Sequence, residues 1–80
     1  MELFGTPDTS GTHRPEDGVG RLSEATLYLS PAEMLKLSEF LVKCANETKE
    51  FELWDHAHFG DFLWLSDKTY DGPDIIVHLA

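Results

Sequence analysis

Residues 52–62, ELWDHAHFGDF, set three carboxylates (Glu52, Asp55, Asp61) and two imidazoles (His56, His58) among Trp54, Phe59 and Phe62. The aromatic rings are costly to leave in water, and the charged groups are costly to bury. His56 and His58 have the spacing that puts two rings on one side of a strand. Asp55 or Asp61 can add an oxygen ligand, and His13 or His78 a further nitrogen. A structural zinc site takes four ligands and a catalytic one takes three plus water. Here the spacing supplies two, and no cysteine pair helps, so His56 and His58 are weak metal candidates and no cofactor is expected.

A histidine beside an aspartate is also raw material for general acid–base chemistry. Yet no Ser or Cys stands in an elbow-like context, no glycine-rich phosphate loop occurs, and so short a chain does not easily build a deep pocket. An enzyme is not expected. Two other uses remain. In the first, the three aromatics anchor a crossover beneath a helix and the imidazoles bond backbone groups where the chain turns, which is compatible with any function. In the second, the same scaffold carries a binding surface. Glu47, Glu50, Glu52, Asp55 and Asp61 form an acidic run broken only by Lys49. Tryptophan and tyrosine, the side chains that dominate interface hot spots, lie beside it. Carboxylates speed encounter with a basic protein, and an aromatic anchor slows departure. The residues expected to bind a partner are Glu50, Glu52, Trp54, Asp55, His56, His58 and Asp61.

Size and charge favour the second use. Eighty residues make one domain, and a hydrophobic content of 41% suits a globule rather than a disordered chain. The formal charge of −9 argues against direct nucleic-acid binding and for a cationic partner. Cys44 is the only cysteine, so no internal disulfide forms and a cytoplasmic location is expected. Its place on the apolar side of a helix makes it a small core residue rather than a nucleophile. The chain contains no apolar run long enough to span a membrane, and MELFGTPD lacks the basic start and apolar middle of a signal peptide.

The elements that must position these groups follow in order. Residues 5–23 are rich in Gly, Pro, Thr, Ser and Asp, and carry Arg14 and Arg21. Residues 1–23 therefore read as a mobile loop or arm, in which Met1 to Phe4 can form a short edge strand. Residues 24–80 make the single domain. ATLYLS (25–30) alternates as a strand, with Ala25, Leu27 and Leu29 on one face. SPAE then starts a helix: Ser30 caps it, Pro31 suits its first position, and Glu33 completes a capping box. The helix is expected to run from Pro31 to about Glu47. Met34, Leu37, Leu41, Cys44 and Ala45 form its apolar stripe, widened by Leu35, Phe40 and Val42, and Glu39 stands in favourable order before Lys43. So wide a stripe is covered by a sheet and loops, or leaves an apolar margin through which a homodimer can form. DFLWLS (61–66) reads as a strand, DKTYDGPD (67–74) as a turn, and IIVHLA (75–80) as the strand that closes a hairpin. The expected fold is α+β: a small antiparallel sheet with one amphipathic helix packed on one face, in the order strand, helix, strand, strand.

LYLSPAEMLKLSEFLVKCANE, WDHAHFGDF and the terminal DIIVHL together resemble the bacterial immunity proteins grouped as immunity protein 32, over about residues 25–79. DHAHF is the most specific part of that likeness. The resemblance implies a short α+β domain that neutralises a toxin by tight stoichiometric binding, and it carries no catalytic residue. Two other functions stand beside it. A phage anti-defence (anti-CRISPR-like) protein or DNA mimic would use the same acidity to block a nucleic-acid-binding complex, and a small metal-binding protein would use His56 and His58.

Overall fold

A computed structural model describes residues 1–8 and 20–80. His13 and Arg14, and most of the stretch that composition marks as a loop, lie outside the described residues. The order is β1 (Glu2–Pro7), β2 (Leu22–Tyr28), α1 (Pro31–Glu50), β3 (His56–His58), α2 (Phe59–Ser66) and β4 (Ile76–His78). The α+β class agrees with expectation, but the sheet arrangement does not. Instead of one sheet there are two antiparallel two-stranded ladders, β1 with β2 and β3 with β4.

The first ladder pairs Glu2 with Tyr28 and Thr6 with Glu24, and its register slips between Thr6 and Pro7. The slip falls where proline, with no N–H to donate, cannot continue the ladder. The N-terminal edge strand thus exists and runs three residues past Phe4, while Leu22 and Ser23, read as loop, belong to β2. Neither face of β2 is buried. Phe4 and Tyr28 meet edge to face at 5.6 Å, and both stay largely exposed.

Helix α1 begins as its sequence dictates. The Ser30 hydroxyl accepts the Glu33 N–H at 3.2 Å, and Glu33 Oε1 accepts the Ser30 N–H at 2.8 Å. It continues past Glu47 to Glu50, because ETKE contains good helix formers and no glycine or proline stops it. The Phe51 N–H then bonds Glu47 O and closes the last turn. Lys43 pairs forward with Glu47 at 2.6 Å rather than back with Glu39, which holds Lys36 at 3.6 Å.

Residues 61–66 are helix rather than strand, so the expected final hairpin is replaced by a β3–β4 ladder with α2 and the turn between its strands. The segment is apolar on both alternations, Phe62 and Trp64 against Leu63 and Leu65. Such a run fits a buried strand and a short helix equally well. The helical period is what burial follows: Phe59 and Leu63 are buried and Phe62 is half-buried. Asp61 falls in the first turn, where an anion complements the helix dipole.

The core is Phe40, Cys44, Phe59 and Leu63, with Leu37, Trp54, Phe62 and Val77 packed around it. Phe40, expected at the margin of the α1 stripe, is its centre, because its ring meets Phe59 and Phe62 of α2. Met34, Leu35, Leu41 and Val42, expected to face the core, are exposed. Cys44 is buried as expected, and burial, with the Glu47 charge adding to it, pushes its thiol above the usual range. Among the described residues, no helix is long and apolar enough to cross a membrane.

Among the described residues, three carboxylates titrate below their ordinary values, about 4.5 for Glu33 and Glu47 and about 3.8 for Asp67. The Ser30 N–H and then the N-terminal ammonium stabilise Glu33; the Lys43 ammonium and then the Trp54 indole stabilise Glu47; Thr69 stabilises Asp67. All three groups are stabilised in ionised form by folding. Their contribution is complete above those ordinary values and is lost as the pH falls through the lower folded ones. The thermal midpoint is therefore expected to fall below about pH 4.5, and to fall less in Glu33→Gln, which cannot lose a charge. A scanning calorimetry series against pH checks this, and equal acid sensitivity in both chains would contradict it.

Candidate functional site

The junction of β3 and α2 positions the side chains that the sequence singles out. His58 occupies the N-cap position of α2 yet makes no side-chain cap bond. Asp74, arriving from the turn before β4, takes that role. Its Oδ1 accepts the Gly60 N–H, and its Oδ2 lies 2.7 Å from His58 Nδ1. A carboxylate only accepts, so in this contact the Nδ1 of His58 is the donor. A Cβ at position 60 would stand 2.9 Å from Asp74 Oδ1, so a larger residue there would displace the carboxylate from the Gly60 N–H. The preceding Asp67 anchors the turn by accepting both the N–H and the hydroxyl of Thr69, at 3.0 and 2.6 Å.

Between α1, β3 and α2 lies an open cleft of about 510 Å³. Phe40 and Phe62 line it from the core, Trp64 and Leu65 from α2, and His56, His58, Asp61 and Lys43 supply its polar groups. Trp64 is 47% exposed, and the Lys68 ammonium lies 3.7 Å from its ring centroid. That is the geometry in which an indole face attracts a cation. The Lys43 ammonium is bound to Glu47, so the positive group on the cleft wall is paired.

Of the expected partner-binding residues, the structure brings His56, His58 and Asp61 together on this cleft. Glu50 and Glu52 are exposed at the end of α1 and in the turn after it. Trp54 is half-buried against the core, and its indole N–H donates to Glu47 Oε1 at 3.3 Å. The tryptophan that lines the cleft is Trp64 and not Trp54. Asp55 is exposed, with its Oδ2 2.7 Å from His56 Nδ1. The His56 ring stacks on His78 across the β3–β4 ladder, with centroids 5.0 Å apart and planes inclined at 23°.

Sequence reasoning missed Trp64, Leu65 and Asp74 as site residues. For the first two a signal existed: Asp61, Trp64 and Leu65 have the i, i+3, i+4 spacing that gathers side chains on one face of a helix. It is invisible once the segment is taken for a strand, which sends Asp61 and Trp64 to opposite faces. Asp74 had no local signal, since its partners lie across the fold.

No protein-family model, no curated protein and no solved structure matches this chain.

Asp74→Ala removes the acceptor from both Gly60 and His58 and is expected to lower stability by about 1–3 kcal/mol. Asp55→Ala removes a carboxylate that is exposed, and is expected to change stability by less than about 0.5 kcal/mol. Urea denaturation of the two variants checks the contrast. Equal effects would contradict the assignment of Asp74 as the cap of α2.

Proposed function

We propose that this chain is a small protein inhibitor that acts by binding a cationic partner, most simply as the immunity protein of a toxin, and that the cleft between α1 and α2 is where it holds that partner. A cleft of about 510 Å³ that joins an exposed indole to Asp61, on a chain of formal charge −9, carries the reading. A lysine or arginine of the partner would place its stem along Phe62 and Leu65 and its charge at the Asp61 carboxylate, beside the Trp64 ring that Lys68 already covers on one side. Glu50 and Glu52 would act at longer range, raising the rate of encounter rather than the lifetime of the complex. The imidazoles of His56 and His58 would add hydrogen bonds at the rim.

Aromatic groups beside the acids favour this over imitation of a duplex. A DNA mimic needs rows of carboxylates at phosphate spacing and has no use for an apolar cleft. Cys44, the side chain with the chemistry of a nucleophile, is buried and its thiol is held protonated, which also favours binding over catalysis.

The test is capture of the partner from the native host, with the product of the neighbouring gene as the first candidate, followed by calorimetry on the purified pair. Trp64→Ala is expected to weaken binding by about 2 kcal/mol or more. Replacing Glu50 and Glu52 together by Gln is expected to slow association and flatten its salt dependence while leaving dissociation nearly unchanged. A partner with an acidic binding face, or full affinity in the folded Trp64→Ala variant, would overturn the proposal.

A further inference from the structure

We propose that His56, His78 and Asp55 form a binding site for a first-row divalent cation of the zinc type, clipping β3 to β4. The site shares His56 with the rim of the partner-binding cleft, while Asp55 and His78 do not line it.

Register brings the two histidines together. His56 pairs with His78 in the β3–β4 ladder, and backbone bonds run from the Leu79 N–H to Asp55 O and from the Phe59 N–H to Ile75 O. Hydrogen-bonded pairs alternate along an antiparallel ladder. Pairs 55–79 and 59–75 are bonded, so 56–78 falls on a non-hydrogen-bonded position, where Cα atoms come within about 4.5 Å and side chains are closest. The stacked rings follow from that. The carboxylate of Asp55 completes the group: one donor atom from each of the three residues lies within 4.8 Å of the other two. Zinc bonds of about 2.0–2.1 Å place donors in a tetrahedral site roughly 3.3 Å apart. The donors must therefore close by up to about 1.5 Å; all three side chains are exposed, and the metal would replace the hydrogen bond between Asp55 and His56.

The donor set suits the ion. Two neutral imidazoles and a carboxylate favour zinc and its neighbours over calcium or magnesium, which take oxygen ligands. Three protein donors leave a fourth position for water. The pair that spacing alone suggests, His56 and His58, is not the donor pair. The donor atoms that lie close together belong to Asp55, His56 and His78, whereas the His58 ring turns its Nδ1 to Asp74 and meets His56 edge to face at 5.3 Å. A clip also answers a weakness of the fold, for β3 and β4 are three residues each and their ladder has little backbone bonding to hold it.

The experiment uses the full chain without a histidine tag and zinc chloride as the only added ligand. Calorimetry is expected to show one saturable site. His56→Ala and His78→Ala should each weaken it by roughly 10–100-fold or more, the range already seen when residues behind the ligands are removed. His58→Ala should leave it unchanged. Imidazole NMR on the unmodified chain should show the His56 and His78 signals moving and the His58 signal still, a readout independent of whether any variant folds. Absence of saturable binding, undiminished affinity in folded His78→Ala, or movement of His58 in place of His78 would overturn the assignment.

Discussion

Phe59 holds together the half of this molecule that carries the cleft. Its side chain is fully buried at the point where β3 becomes α2, and its ring lies 5.3 Å from Phe40 in the middle of α1. Its N–H donates to Ile75 O, just before β4. One residue thus ties the long helix, the short helix and the second ladder to a common point. The cleft, the Asp74 cap and the stacked histidines all radiate from that junction. A strand of three residues has little power to position anything by itself, so the pinned ring does that work.

Charge works on a different scale. With six Lys and Arg against fifteen Asp and Glu, most carboxylates have no cation available to them. Glu47 illustrates how the few cations are used: it takes the Lys43 ammonium and the Trp54 indole together, binding the loop before β3 to α1. Asp74 finds backbone and imidazole donors instead. The acids left unmatched, Glu50, Glu52 and Asp61 among them, cost little while water covers them. They become favourable when a cation approaches, which is why the partner we propose is basic.

What the sequence revealed and what it hid divide by range of interaction. The start of α1 was legible because Ser30, Pro31 and Glu33 act within one turn, and the buried Cys44 because its helix was. The turn around Asp67 was legible for the same reason. Helix α2 was hidden because Phe62, Leu63, Trp64 and Leu65 are apolar whichever period is imposed, so only burial against Phe40 chooses between strand and helix. Taking it for a strand hid the face that Trp64 shares with Asp61 and Leu65. His56 stood out as a site residue and His78 was named as a possible further nitrogen ligand, but only the register of the ladder brings the two rings into a stack. The seven exposed residues of β2 have an alternating pattern with no core to face. Periodicity predicts a face, and cannot say whether anything will cover it.

The central claim is that the β3–α2 junction is part of the same cooperative core as α1 and not a loosely attached flap. Native-state hydrogen exchange tests this most directly. The amides of Phe59 and Leu63 are predicted to exchange only through the opening that also releases Phe40 and Cys44, with the same free energy and the same denaturant dependence. Exchange of Phe59 through a smaller, denaturant-independent opening, while the centre of α1 stays protected, would contradict it.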